Sequence, residues 1–134
     1  MTVITHWKEK LLFEAVQENA GTVTMDGHVQ DGISPKALLL AGLAGCSAVD
    51  VVEILEKMRV PFTRLTVVSA ADQTTDHPRV FTDIDLLYTV TTDPANEDKL
   101  RKAIDLSLEK YCGVAAMLRK NSAIRYRCEC IRPT

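Results

Sequence analysis

Cysteine is the residue type in this chain with the clearest chemical use, because paired thiols carry out redox reactions. The chain has four cysteines in 134 residues. Cys46 lies in the apolar segment LLLAGLAGCSAVDVVEIL and Cys112 in LSLEKYCGVAAML, and both segments read as helix. If the fold brings these two sulfurs together, the sequence favours a thiol and disulfide redox enzyme. If it does not, both are small buried side chains, as cysteine commonly is in protein cores.

Peroxide reduction through a sulfenic acid and a disulfide requires at least two thiols. A thiolate attacks a peroxide oxygen and becomes a sulfenic acid, and a second thiol condenses with it to give a disulfide and water. The attacking thiol must lose its proton, which a nearby cation or a helix N-terminus promotes. Cys112 is expected at the start of a short helix, whereas Cys46 is expected in mid-helix and needs a cation supplied by the fold. Asp50, one turn after Cys46, would disfavour a thiolate there.

The other two cysteines, Cys128 and Cys130, share one face of a predicted strand. A C-x-C pair without further Cys or His at zinc-finger spacing is a weak metal signal. We therefore expect packed core at this pair, with a metal site as the less favoured alternative, and we expect no cofactor.

Length and charge bound the class of protein. A chain of 134 residues is the size of one domain, which we place at 1–134. Sixteen basic against 18 acidic residues give a net charge of −2, so neither nucleic acid nor an anionic membrane is an expected partner. The N-terminus MTVITHWKEK lacks a secretory signal pattern, and the longest uncharged apolar stretch, Ala37 to Val49, has 13 residues where a membrane span needs about 20. These features predict a cytoplasmic protein with reduced thiols.

Hydrophobic periodicity predicts an α+β domain in which each half has strands followed by a helix. The first half is a predicted meander of three strands, Val3 to Trp7, Leu11 to Gln17 and Thr22 to Met25. A helix then runs from Ser34-Pro35 to about Arg59. Its first part is apolar on every side, which predicts a helix buried all round, and Gly42 and Gly45 indicate that something packs close to its backbone.

The second half is predicted to contain a hairpin, a helix that breaks at Cys112-Gly113, and a last strand. The predicted segments are Phe62 to Ala70, Val80 to Thr91, a helix from near Asn96, Val114 to Leu118, and Ala123 to Ile131. One buried helical stripe is predicted at Leu100, Ala103, Ile104, Leu108 and Tyr111. A helix that is apolar all round needs more cover than one small chain offers, so we expect a homodimer.

Three segments resemble the OsmC/Ohr superfamily: SPKALLLAGLAGC ending at Cys46, PRVFTDIDLLYTV ending at Val90, and SLEKYCGVAAML ending at Leu118. The motifs CSAVD and EKYC look most like the YhfA-like branch of short OsmC proteins. The resemblance implies an OsmC-like fold, in which a long buried central helix is wrapped by antiparallel sheets. It also implies an intertwined homodimer with sites at the dimer interface.

The resemblance implies a function as well. In the peroxidase members, the cysteine matching Cys46 attacks an organic or hydrogen peroxide and the one matching Cys112 resolves it as a disulfide. A dithiol reductant such as a lipoyl group then completes the cycle in oxidative stress defence. The alternative is a non-peroxidatic OsmC-like protein that binds a small ligand in an interface pocket, with cysteines that only line the cavity.

One position departs from the peroxidase pattern. In those members a glutamate follows the proline at the start of the central helix and pairs with an arginine from the N-terminal region. Here Lys36 occupies the glutamate position, and no arginine precedes Arg59. Lys36 lies ten residues before Cys46, about 15 Å along a helix axis, so Arg79, Arg59 and His28 are the other candidate cations for Cys46.

Overall fold

In the computed structural model, which describes residues 1–134, the chain divides into two units, residues 1–39 and 40–134. Helices and strands follow the predicted α+β order, with two sheets of three strands each. That the two units act as a single domain stays a prediction.

The first unit is an antiparallel meander, which confirms the predicted arrangement. Its strands are β1 (Val3–Glu9), β2 (Leu12–Gln17) and β3 (Gly21–Asp26), hydrogen-bonded in that order. The loop after β3 folds around the buried carboxylate of Asp26, which accepts backbone N–H groups from His28, Gln30 and Asp31. These bonds, that of Asp31 first, lower the pKa of Asp26.

The second unit is built on a mixed sheet. Its strands are β4 (Leu65–Gln73), β5 (Phe81–Thr91) and β6 (Ala123–Ile131), in the order β4-β5-β6. The hairpin β4–β5 is antiparallel as predicted, but β6 runs parallel to β5, so the expectation of purely antiparallel sheets is wrong. The reason is the helical connection between β5 and β6, since a crossover of this length can return the chain to the same end of the sheet.

The helical elements lie before β4 and between β5 and β6. They are α1 (Ala37–Lys57), a 3₁₀ turn (Pro94–Asn96), α2 (Glu97–Leu106), a π-helical turn (Ser107–Tyr111) and α3 (Gly113–Arg119). Ser34, where the helix was predicted to begin, precedes α1 and its Oγ accepts the N–H of Ala37 at 3.1 Å, so this serine caps the start of the helix. The predicted break between the two later helices also lies at Cys112, whose backbone is extended.

One face of α1 packs into the core of the second unit, and the opposite face is open. The buried residues repeat every fourth position and are Leu43, Ser47, Val51 and Leu55. Ala41, Gly42 and Gly45 are exposed and Val49 is 58% exposed, so the prediction of a helix buried all round is wrong for the single chain. No atom of the second unit lies within 4 Å of a Cβ built at Gly42 or Gly45, so nothing within that unit packs against those glycines. The second unit itself leaves this apolar face uncovered.

By length and composition α1 is also the one helix that is apolar enough to cross a membrane. The core helix of a soluble protein passes the same test, so this property is weak support for a membrane span.

The predicted stripe on α2 is buried except at its end. Leu100, Ala103, Ile104 and Leu108 are buried, but Tyr111 is 54% exposed, so that part of the prediction is wrong. The π-helical turn explains the difference, because the N–H of Cys112 bonds to Ser107 O five residues back. The wider turn changes the angular spacing of residues, which moves Tyr111 off the buried stripe.

Candidate active site

The structure brings the two predicted thiols together within the second unit. Cys46 lies in the middle of α1 and is partly buried, and Cys112, between the π-helical turn and α3, is only 3% exposed. Both are free thiols, and Cys46 lies close enough to Cys112 to raise the pKa of that thiol. The two predicted residues are therefore neighbours within a single chain. Their roles as a thiol and disulfide couple stay a prediction.

Cys112 holds its proton strongly. Burial is the largest cause that raises its pKa to about 11, and the hydrogen bond to Cys46 and the charge of Cys46 add to the effect. As predicted, Cys112 precedes a short helix, and its Sγ accepts the N–H of Ala115 at 3.4 Å. That bond lowers the pKa, as a position at the start of a helix predicts, but burial outweighs it and the net shift of the Cys112 pKa is upward.

Ser107 connects the chain segments that carry the two cysteines. Its Oγ lies 2.8 Å from Asp50 Oδ2 and 3.1 Å from Ser47 O, and the hydroxyl directs its single hydrogen toward these two acceptors. Its backbone carbonyl accepts the N–H of Cys112 at 2.7 Å. Asp50 is therefore partly buried and has a hydrogen-bond partner within the chain.

A pair of buried hydroxyls, those of Tyr88 and Ser47, also lies beside the thiols. Tyr88 on β5 is 0% exposed, and its OH is 2.7 Å from Ser47 Oγ, which also lies 3.2 Å from Ala44 O. Burial raises the pKa of Tyr88 to about 12, the bond to Ser47 opposes this, and the charges of Cys112 and Asp50 add to it. The tyrosine hydroxyl thus lies within electrostatic reach of both groups.

The hydroxyls of Ser107, Ser47 and Tyr88 were not among the residues predicted for the site. Two signals in the sequence pointed to the two serines. Ser107 interrupts the apolar stripe of α2, and Ser47 follows Cys46 in a segment that is otherwise apolar. Fully buried polar side chains at such positions need hydrogen-bond partners, and each of these has one.

A cleft of about 420 Å³ opens beside α1 in the second unit. Apolar side chains and three charged ones line it: Asp50, Glu53, Ile54, Lys57, Met58, Leu106 and Tyr111. Asp50 belongs both to the cleft and to the hydrogen-bonded group around Ser107. Neither Cys46 nor Cys112 lines the cleft itself.

The candidate cations lie on several segments. His28 and Lys36 belong to the first unit. Arg59 follows α1 with a positive φ of 58°, and Arg79, in the loop between β4 and β5, donates its Nε to Thr75 O at 3.3 Å. Which of them serves Cys46 stays a prediction.

Cys128 and Cys130 lie on the face of β6 that packs against the core, as predicted. Cys128 is buried and Cys130 partly buried, and burial raises the pKa of both thiols. Packing explains their place in the fold.

Comparison with known proteins identifies close relatives of the chain. The sequence model of a family described as OsmC-like protein matches residues 27–127. Protein YhfA of Escherichia coli strain K12 is 36% identical over 126 residues, which cover 93% of this chain and 94% of that protein. The family match reaches from the loop after β3 into β6 and includes both cysteines of the thiol pair.

Solved structures confirm the predicted fold class. The crystal structure of an OsmC-like protein from Mycoplasma pneumoniae superposes with a TM-score of 0.83 at 18% identity, covering 97% of this chain and 96% of that one. The organic hydroperoxide resistance protein OhrB of Bacillus subtilis superposes with a TM-score of 0.64 at 14% identity, covering 96% and 98%. At these identities the likeness shows the fold alone.

Proposed function

Because this chain belongs to the OsmC-like family, we propose that it is a thiol-dependent peroxidase that reduces organic or hydrogen peroxides through Cys46 and Cys112. The observation that carries the proposal is the closeness of the two free thiols, which lets Cys46 raise the pKa of Cys112. Proteins of the same fold include organic hydroperoxide resistance proteins. The reaction fits the cytoplasm, where thiols are kept reduced.

Burial and proton affinity divide the roles between the two cysteines. Cys46 is the more accessible thiol, whereas Cys112 is buried and keeps its proton. The thiolate of Cys46 attacks the peroxide oxygen, the O–O bond breaks, and the alcohol or water leaves after taking up a proton. The thiol of Cys112 then displaces the hydroxyl group of the Cys46 sulfenic acid, which forms the disulfide and water.

The catalytic cycle needs an external reductant. A dithiol such as a lipoyl group attacks the disulfide, passes through a mixed disulfide, and leaves as a cyclic disulfide while both cysteines regain their protons. A dithiol suits a buried couple, because its second thiol resolves the mixed disulfide within the same complex.

Peroxide consumption by the purified protein tests this function. Cumene hydroperoxide or hydrogen peroxide is supplied with dihydrolipoamide, and wild type is compared with Cys46→Ser and Cys112→Ser. Cys130→Ser is the matched control, because Cys130 is also a partly buried free thiol but lies on β6. We expect wild type and the control to turn over peroxide and both pair variants to lose turnover. Equal rates for wild type and the two pair variants would exclude the peroxidase.

We also propose that the protein acts as a homodimer, in which a second chain covers the open face of α1. The support is the apolar face of α1 that includes Gly42, Gly45 and Val49 and that the second unit leaves uncovered. An analytical ultracentrifugation result of a monomer at micromolar concentration would contradict the dimer.

Small-ligand binding is the second candidate function, and the cleft beside α1 is the observation that favours it. The cleft has about 420 Å³ of space and combines apolar walls with charged groups. If this is the function, peroxide turnover is absent, and ligands that protect the protein against thermal unfolding lose their effect in a Leu106→Trp variant, which fills the cleft.

A further inference from the structure

The hydrogen bonds around Ser107 connect it to both cysteines through the backbone. Its hydroxyl binds α1 at Ser47 O, the carbonyl of the residue next to Cys46, and at the carboxylate of Asp50. Its own carbonyl holds the N–H of Cys112 and closes the π-helical turn. Ser107 is 0% exposed, so water does not compete for these bonds.

From this geometry we propose that Ser107 is a positioning residue that holds Cys112 against Cys46 at the distance needed for disulfide formation. The inference rests on the proposed function, because it concerns the same pair of thiols. π-Helical turns are rare in proteins and occur mostly as single turns, frequently at functional sites. The bonds from Ser107 to α1 hold this turn beside Cys112.

Removal of the Ser107 hydroxyl is expected to lower the effective concentration of the Cys112 thiol at the Cys46 thiol. When the hydroxyl is removed, the π-helical turn loses its bonds to α1 and Cys112 samples a larger volume. One buried hydrogen bond to a charged group corresponds to about a tenfold change in an equilibrium constant. We therefore expect Ser107→Ala to lower the equilibrium constant for disulfide formation about tenfold, which is about 30 mV for this two-electron couple.

The experiment equilibrates the full-length protein in buffers of glutathione and glutathione disulfide and counts the remaining thiols. In this reaction the two cysteines lose two protons and two electrons, and glutathione disulfide is reduced to two molecules of glutathione. Peroxide is absent, so the result does not depend on peroxidase activity. Ser107→Thr keeps the hydroxyl and is expected to stay within about threefold of wild type.

Ser122→Ala is the matched control, because Ser122 is also buried and donates to a backbone carbonyl, Phe81 O, at 2.8 Å. It is expected to lower the stability of the fold without changing the disulfide equilibrium. If Ser107→Ala does not fold, Asp50→Asn keeps the inference testable, because it removes the charge from the bond acceptor. That variant is expected to lower the constant in the same direction by about threefold.

Three results would overturn the inference. The first is an equilibrium constant for disulfide formation in Ser107→Ala that equals the wild-type constant. If the alanine variant does not fold, the same result for Asp50→Asn overturns the inference. The second is an equal fall in Ser107→Ala and Ser122→Ala, which would indicate general loss of stability. The third is a wild-type protein that forms no disulfide between Cys46 and Cys112. A normal disulfide that weakens in Ser107→Ala, in a protein that consumes no peroxide, would instead refute the peroxidase and support the positioning role.

Discussion

Alkylation of Cys112 tests whether burial controls its protonation. Its ordinary pKa of 9.0 is raised to about 11, first by burial and then by the bond and charge of Cys46. At pH 8 a thiol with a pKa near 9 is about 10% ionised, and one with a pKa near 11 about 0.1%. Because iodoacetamide reacts with the thiolate, the folded protein should alkylate Cys112 about 100-fold more slowly than the urea-unfolded chain does.

The pH dependence separates this effect from steric protection. A thiol that is only sterically protected and has an ordinary pKa reacts slowly at every pH, and its alkylation rate levels off near pH 9. For Cys112 the rate should keep rising about tenfold per pH unit through pH 10 while circular dichroism shows a folded protein. The rates are measured by quantitative peptide mass spectrometry after short pulses of reagent.

The variant Cys46→Ser checks the order of the causes. It removes the charge of the neighbouring thiolate but leaves Cys112 buried, so the pKa of Cys112 should remain above its ordinary value. A folded wild type in which the alkylation rate of Cys112 levels off near pH 9 would refute the reasoning, because burial would then not hold the proton.

Three further predictions concern the rest of the chain. Gly45→Ala has open space at its Cβ within the second unit, so the higher helix propensity of alanine should stabilise a monomer by about 1 kcal/mol in urea unfolding. If a partner chain packs at Gly45, the added methyl group should instead weaken the dimer, which ultracentrifugation measures. Because the pKa of Asp26 is lowered in the folded protein, the ionised carboxylate stabilises the fold fully above its ordinary pKa of 3.8. This stabilisation is lost as the pH falls through the lower pKa of the folded state, and hydrogen exchange of the His28 amide should show the loss. In a double-mutant cycle, Tyr88→Phe and Ser47→Ala should show a coupling energy of about 1 kcal/mol in urea unfolding, and additive effects would contradict the bond.

Most of the elements were predictable from the sequence, because their signals are local. Alternating apolar residues indicated each strand, and Cys112-Gly113 indicated the break before α3. The first strand of the hairpin was predicted from Phe62 but begins at Leu65. Boundaries of this kind depend on cross-strand pairing, and Leu65 pairs with Val90 at the far end of β5.

The exposure of α1 and the shape of the site were not predictable from local patterns. An apolar segment such as the one around Gly45 shows that burial is needed but does not show whether the same chain supplies it. The contact of Ser107 with Asp50 joins residues 57 positions apart, and no periodicity encodes such a distance. The direction of β6 likewise depends on where the helical connection leaves the chain.

The central claim is that Cys46 and Cys112 form one redox couple, and a single turnover with peroxide tests it most directly. Reduced protein receives one equivalent of cumene hydroperoxide, and the products are mapped by peptide mass spectrometry. We predict a disulfide between Cys46 and Cys112 in wild type, and in Cys112→Ser a sulfenic acid on Cys46 that dimedone traps. If peroxide leaves both thiols unchanged, or oxidises Cys130 as fast as Cys46, the account is contradicted.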